Sequence, residues 1–211
     1  MSQEPPFLNA MEARIFGCLI EKQLLTPDTY PLTLNTLQAA ANQKTSREPV
    51  MALEAGEIGH TLATLEQQGL VRRAFGSRVE RYEHLAGQRF NLTKQQSALL
   101  AVMLLRGPQT LNELQTRTDR MASFGSLDDL KQELDLLASA RPPLVKEIGR
   151  APGQREDRFA HLLSGDVEVS MIAAPAPRPA AASAIAELEE RVRTLEEQVA
   201  DLKARLDAVG A

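Results

Sequence analysis

The 211-residue chain has one cysteine, no tryptophan and few aromatic residues, 4% of the total. A single cysteine excludes a disulfide framework and any zinc site built from several thiolates. The scarcity of aromatic rings disfavours a surface on which the bases of single-stranded nucleic acid stack. No apolar run reaches the ~18 residues of a membrane-spanning helix, and residues 1–7 lack the pattern of a signal peptide. We therefore expect a cytoplasmic protein without a membrane partner.

Positive charge is not in excess either, because 24 Lys and Arg face 28 Asp and Glu, a formal net charge of -4. This balance excludes a basic coat over the whole chain. Neither a glycine-rich phosphate loop nor His and Cys at metal-ligand spacing occurs, so we expect no cofactor and no metal. Cys18 lies among apolar residues and is interpreted as a buried thiol. These observations predict a non-enzymatic protein.

Residues 1–86 predict three helices followed by a β-hairpin. The first helix begins at Asn9, which forms a capping-box pattern with Glu12, and the second covers about 33–42. The third covers about 54–68, and its inward stripe consists of Ile58, Leu62 and Leu65.

Two strand-like runs follow the third helix, at 70–75 and 78–84, and they meet at Gly76 and Ser77. Such runs joined by a short glycine-containing link predict a hairpin with a two-residue turn.

Residues 87–165 repeat this order of elements. Thr93 begins a first helix, Thr110 caps a short second one, and a third covers about 126–140 before another hairpin that turns near 151–153. The inward stripe of this third helix consists of Leu130, Leu134 and Leu137.

The two halves align when Leu62, Leu65, Leu70 and Val71 are matched with Leu134, Leu137, Leu144 and Val145. A small α+β unit is therefore duplicated. The predicted fold is mainly α with small β-hairpins: two tandem winged helix-turn-helix domains, 1–86 and 87–165.

The last part of the chain differs in kind. An Ala/Pro-rich linker at 166–183 precedes a helix at 184–210 whose apolar residues recur at spacings of three and four. This heptad pattern predicts a parallel coiled coil and hence a homodimer; the alternative is a helix that folds back onto its own domains. The predicted dimerisation residues are Ile185, Leu188, Val192, Leu195, Val199, Leu202 and Leu206.

In a winged helix-turn-helix the third helix enters the DNA major groove and the hairpin, or wing, contacts phosphates. The first domain presents polar, uncharged side chains on its third helix and arginines on its wing. The predicted contacts to double-stranded DNA are His60, Thr64 and Gln67 to bases, and Lys44, Arg47, Arg72, Arg73, Arg78 and Arg81 to phosphates.

The second domain is not predicted to insert its third helix into DNA, because the outward face of that helix carries Asp128, Asp135 and Leu136. Carboxylates repel phosphate, and an outward leucine suggests a protein contact. The leading hypothesis is a transcription-regulator-like DNA-binding protein; the alternative is a protein–protein interaction or scaffold module with a partner on the second domain. A deep pocket holding two groups with shifted pKa values would instead indicate an enzyme.

Several distinctive strings resemble the YceH-like family of uncharacterised bacterial proteins. They are EARIFGCLIEK (12–22), TPDTYPLTLNTL (26–37), NQKTSREPVM (42–51), GSRVERYEH (76–84), LLRGPQT (104–110) and PGQREDRFAHL (152–162). The resemblance covers roughly residues 8–165 and implies two tandem winged-helix domains, in agreement with the duplication. It implies no activity and assigns no residue a role.

Overall fold

A computed structural model describes residues 7–74, 79–150 and 156–167. Its elements form two similar series, here called the first and second repeats. The first contains α1 (Ala10–Leu25), a 3₁₀ turn (Pro27–Thr29), β1 (Leu32–Thr33), α2 (Leu34–Ala41), α3 (Ala55–Gln67), β2 (Val71–Ala74) and β3 (Arg81–His84). After a short α4 (Ala86–Phe90), the second contains α5 (Lys94–Arg106), α6 (Leu111–Thr118), α7 (Leu127–Ser139), β4 (Val145–Ile148) and β5 (Arg158–His161).

The helices begin where their capping residues predict. The Asn9 side chain accepts hydrogen bonds from the backbone of Met11 and Glu12, and the Glu12 carboxylate accepts one from the Asn9 N–H at 2.8 Å. Thr93 and Thr110 cap α5 and α6 in the same reciprocal way. Each cap satisfies N–H groups that an isolated helix end leaves unpaired.

The inward stripes of α3 and α7 are confirmed. All six leucine and isoleucine side chains are at most 2% exposed: Ile58, Leu62, Leu65, Leu130, Leu134 and Leu137. The two repeats therefore place the same helix face in the core.

Backbone hydrogen bonds confirm the alignment of the repeats residue by residue. The N–H of Leu70 donates to the carbonyl of Leu65, and the N–H of Leu144 donates to that of Leu137. The wing strands pair antiparallel, with Val71 opposite His84 in the first repeat and Val145 opposite His161 in the second. The fold is α+β, with two winged-helix units and small antiparallel sheets.

One strand differs from the sequence predictions, and one predicted turn is not described. The described pairing of β2 with β3 ends at Ala74 opposite Arg81, and the predicted turn at Gly76 and Ser77 lies outside the described residues. Sequence reasoning also missed β1, which pairs with β3 and makes the first sheet three-stranded in the order β1-β3-β2. A two-residue strand gives too short an alternation to be seen.

One hydrophobic core includes residues of both repeats, and helices α1 and α5 pack against each other across it. Gly17 is the point of closest approach, because a Cβ added there would lie 3.0 Å from the Cβ of Leu104. The described residues all belong to one compact unit that extends to Ile172. The predicted helix 184–210 and most of the linker lie outside the described residues.

Candidate nucleic-acid interface

The outward face of α3 is polar and uncharged along its middle. His60 and Gln67 are exposed, and Thr64 is half-buried with its hydroxyl donating to the His60 carbonyl at 3.3 Å. The helix begins with a reciprocal cap between Glu54 and Glu57, so two carboxylates stand at the end that a recognition helix directs into the groove. The face offers hydrogen bonds to bases but no cation.

Two arginines of the first wing, the β2–β3 hairpin, are matched by carboxylates, and one of them, Arg73, lies beside α3. Arg72 contacts Glu83, while Arg73 donates to Glu66 of α3 at 3.2 Å and to Glu80 at 2.9 Å. Both arginine side chains remain about half exposed, at 55% and 46%. Exposed pairs of this kind contribute only about 0–1 kcal/mol each, so a phosphate can displace the carboxylate.

Arg81 has a structural contact that the duplication explains. It donates to the Pro31 carbonyl at 2.8 Å, and Arg158 of the second repeat donates to the Pro108 carbonyl at 2.9 Å. Because the same bond recurs at the equivalent place, we assign Arg81 to joining β3 with the segment before α2. The sequence predicts a phosphate contact for Arg81, but in the structure its guanidinium donates to a backbone carbonyl instead.

Arg47 is a clear correction. The sequence places it among the phosphate contacts, but it is 5% exposed. Its guanidinium donates to both carboxylate oxygens of Glu21, at 2.9 and 2.6 Å, and to the Ala40 carbonyl at 3.0 Å. Burial alone would raise the pKa of Glu21, but the hydrogen bonds and charge of Arg47 outweigh it and hold that pKa below its ordinary value. Arg47 therefore ties the loop before α3 to α1.

The remaining predicted contacts divide into one exposed lysine and one residue that lies outside the described residues. Lys44 is exposed between α2 and α3. Arg78 belongs to residues 75–78, which the structure does not describe. The seven predicted dimerisation residues also lie outside the described residues. Of the nine predicted DNA contacts, the structure places His60, Thr64 and Gln67 on α3 and joins Arg73 to that helix through Glu66. Arg72, the preceding residue of the strand, lies on the opposite face of the sheet against Glu83.

The corresponding face of α7 is acidic. Asp128, Asp135 and Leu136 are exposed, and Leu136 retains 54% of its side-chain surface. Lys131 is paired with carboxylates: it donates to Asp135 at 2.8 Å and to Glu147 of β4 at 2.7 Å. The exposed carboxylates Asp128 and Asp135 disfavour phosphate at this face.

Sequence reasoning missed two histidines at equivalent positions in the wings, of which His84 is buried and His161 is half-buried. His84 accepts from or donates to the Gln23 side chain at 2.7 Å, and burial lowers its pKa to about 4. Burial also lowers the pKa of His161 to about 4. The signal was available, since both residues fall at the same register of the aligned strands.

Cys18 is a free, fully buried thiol, as the sequence predicts. Burial raises the pKa of Cys18 to about 11, so at neutral pH it stays protonated and is a poor nucleophile. In the parts of the chain that the structure describes, no His, Cys, Asp and Glu side chains gather in a set that could hold a metal ion. Within those same parts no helix combines the length and apolarity needed to span a bilayer.

Comparison with known proteins places these features in a family. The family model described as "Protein of unknown function, DUF480" matches residues 8–154. A UPF0502 protein of Mesorhizobium japonicum is 59% identical over 210 residues, covering 100% of both chains. UPF0502 proteins of Xanthomonas axonopodis pv. citri and Stenotrophomonas maltophilia are 50% and 49% identical, covering 98% and 95% of this chain and 97% and 93% of theirs. The chain therefore belongs to the DUF480 family, whose relatives named here are UPF0502 proteins, and the resemblance to an uncharacterised bacterial family is confirmed.

Proposed function

We propose that this protein is a non-enzymatic, transcription-regulator-like protein that binds double-stranded DNA through its first repeat. The observation that carries the proposal is that the half-exposed Arg73 of the next strand reaches α3 beside its uncharged polar face, with the half-exposed Arg72 adjacent in the same strand. Glutamine side chains can read adenine and threonine methyl groups can contact thymine, so Gln67 and Thr64 face bases. Lys44 adds a phosphate contact from the loop before α3.

Charge compensation makes this a weak and salt-sensitive contact. Glu66, Glu80 and Glu83 must give up the two arginines when phosphates take their place. Three phosphate contacts, from Arg72, Arg73 and Lys44, correspond to a log–log slope of affinity against salt of about -3.

The test is fluorescence anisotropy of a labelled mixed-sequence duplex, titrated with the full-length protein at several salt concentrations. We expect binding at low salt with the slope given above, and a loss of at least about tenfold in the double variant R72E/R73E. The matched control is R120E/R141E, which makes the same change of charge at two exposed arginines of the second repeat. Binding that is equal in both double variants would contradict the proposal.

A second candidate function rests on α7, whose exposed Leu136 is flanked by Asp128 and Asp135. An apolar side chain among carboxylates suits a basic protein surface as partner. The discriminating result is a partner retained by the wild type and lost by D128N/D135N/L136S, together with no duplex binding at low salt. A partner retained by this triple variant would contradict the candidate.

Dimerisation through 184–210 remains a separate proposal from the heptad pattern. The expected result is a dimer in sedimentation equilibrium that becomes a monomer in L188E/L195E, because charges at two core positions of a coiled coil disrupt its seam. A variant that stays dimeric would assign the association to another surface.

A further inference from the structure

A cavity of about 390 Å³ lies where the start of α1, the end of α5 and strand β5 meet. Its walls are largely apolar, with contributions from Ala13, Met51, Met103 and Leu104. Arg14, Glu48 and His161 also line it. The size and the mixture of an apolar wall with a few polar groups are typical of small-ligand sites.

Arg14 brings a buried positive charge to this cavity. It is 1% exposed, and its two terminal nitrogens donate to the carbonyls of Ala41 and Pro49 at 3.2 and 2.5 Å. Its Nε has no hydrogen-bond partner among the described residues, and no carboxylate there forms an ion pair with it. A buried cation without an anion is costly, so the site favours a ligand that supplies one.

His161 brings an unpartnered hydrogen-bonding atom, and the duplication shows that this is not a general property of the position. In the first repeat the equivalent His84 uses both ring nitrogens, one with Gln23 and the other accepting from the Ala86 N–H. In the second repeat Nδ1 of His161 is buried without a partner in the described residues. The difference leaves one imidazole nitrogen unpartnered on a residue that lines the cavity.

The start of α1 also lines the cavity, through Asn9 and Ala10. Its partial positive charge is already matched by the Glu12 carboxylate, which accepts from the Asn9 N–H, so Arg14 is the group that favours an anion. Glu48 is exposed and acts in the opposite sense. One full positive charge opposed by one carboxylate suits a singly charged anion better than a phosphate ester.

We propose that this cavity binds a small organic carboxylate with an apolar body. The carboxylate accepts a hydrogen bond from Nε of Arg14 and forms a second one with Nδ1 of His161, while the apolar body packs against Met51, Met103 and Leu104. The proposal is independent of whether the protein binds DNA or another protein. The cavity supplies a fixed cation and an imidazole that is neutral at pH 7, and these groups bind a carboxylate.

The test uses phenylacetate and its uncharged analogue phenylacetamide with the full-length protein labelled at its methionine methyl groups with carbon-13. We expect saturable shifts of the Met51 and Met103 signals with phenylacetate, while Met121, which does not line the cavity, stays unchanged. Phenylacetamide should bind at least about tenfold more weakly, because it cannot neutralise Arg14. Absent shifts at millimolar phenylacetate, or equal binding of the amide, would overturn the proposal.

Two variants sharpen the result. E48Q removes the opposing carboxylate from an exposed position and should tighten phenylacetate binding about threefold, whereas the matched control D128N, which lies away from the cavity, should leave it unchanged. R14Q should abolish phenylacetate binding. If this buried substitution prevents folding, the proposal is still tested by the comparison of phenylacetate with phenylacetamide and by the affinity of E48Q. Weaker binding in E48Q would overturn the assigned charge preference.

Discussion

The two repeats place the same stripe of α3 and α7 in the core, yet the middle of the outward face is uncharged in α3 and carries carboxylates in α7. The exposed face of α3 carries His60 and Gln67, whereas that of α7 carries Asp128 and Asp135. A duplicated fold therefore does not imply a duplicated function, since the inward stripe determines the fold and the outward residues determine what can be bound. Among the described residues, the middle of the α3 face is uncharged where the α7 face carries carboxylates, so we expect phosphate contacts from the first repeat.

The cores of the repeats differ as well. The capping boxes of α1 and α5 place Glu21 opposite Leu105 in the alignment, so a buried ion pair in the first repeat corresponds to an apolar side chain in the second. Buried charges need complete pairing, and Arg47 supplies it for Glu21. The comparison shows that a basic residue in the loop before α3 can serve the core rather than a ligand.

The largest effect is expected from breaking that pair. R47M should lower the free energy of unfolding by about 3–5 kcal/mol, because it leaves a buried carboxylate without its partner. The double variant E21L/R47M, which imitates the second repeat at position 21, should lose markedly less. Urea denaturation measures both, and equal losses would contradict the assignment of the pair.

The next largest effect tests whether the inward stripes of α3 and α7 are equivalent. L62A and L134A should each destabilise the protein by about 2–5 kcal/mol, because both side chains are at most 1% exposed and their removal leaves a cavity. Thermal and urea unfolding measure the two losses. A nearly neutral result for either variant would break the equivalence of the repeats.

The two wing histidines, His84 and His161, predict a loss of stability in acid. Burial lowers the pKa values of His84 and His161 to about 4, while the unfolded chain protonates near 6.5. The unfolded state therefore binds more protons between these values, so stability is complete above about pH 6.5 and falls as the pH decreases toward 4. We expect on the order of 1–3 kcal/mol from each group.

Urea denaturation between pH 7 and pH 4 checks this prediction in the wild type, H84Q and H161Q. Each variant should show a shallower decline than the wild type, because one of the two groups no longer titrates. A decline of unchanged steepness in both variants would assign the acid sensitivity to other groups.

A smaller effect concerns the carboxylates that compete with phosphate in the first wing. E80Q/E83Q releases Arg73 and Arg72 from two of their partners and should raise duplex affinity about threefold. Anisotropy at low salt measures it. An unchanged or reduced affinity would show that these arginines do not contact DNA.

The smallest effect is expected on α7. D128N/D135N should leave duplex affinity within about twofold, because this face lies away from the proposed contact. A large gain in the same anisotropy assay would place α7 at the DNA and remove the functional difference between the repeats.

Much of the fold could be predicted from the sequence because its signals are local. The capping residues Asn9, Thr93 and Thr110, together with the apolar periodicity of α3 and α7, depend only on residues within a few positions of one another. β1 could not be found in this way, because its two residues are strand only through pairing with β3.

The candidate site was predicted less completely, for a physical reason. Sequence identifies Arg47, Arg72 and Arg81 equally as cations, but their partners are distant in sequence: Glu21, Glu83 and the Pro31 carbonyl. Which positive charge is buried, paired or free depends on these tertiary contacts. The duplication supplied one further signal, since Arg81 and Arg158 align and make the same bond.

Hydrogen exchange of the full-length protein, measured with and without a mixed-sequence duplex at low salt, tests the central difference between the repeats most directly. The account predicts slower exchange over α3 and β2 when the duplex is present, with exchange over α7 and β4 unchanged. Protection over α7, or none in either repeat while the duplex is bound, would contradict it.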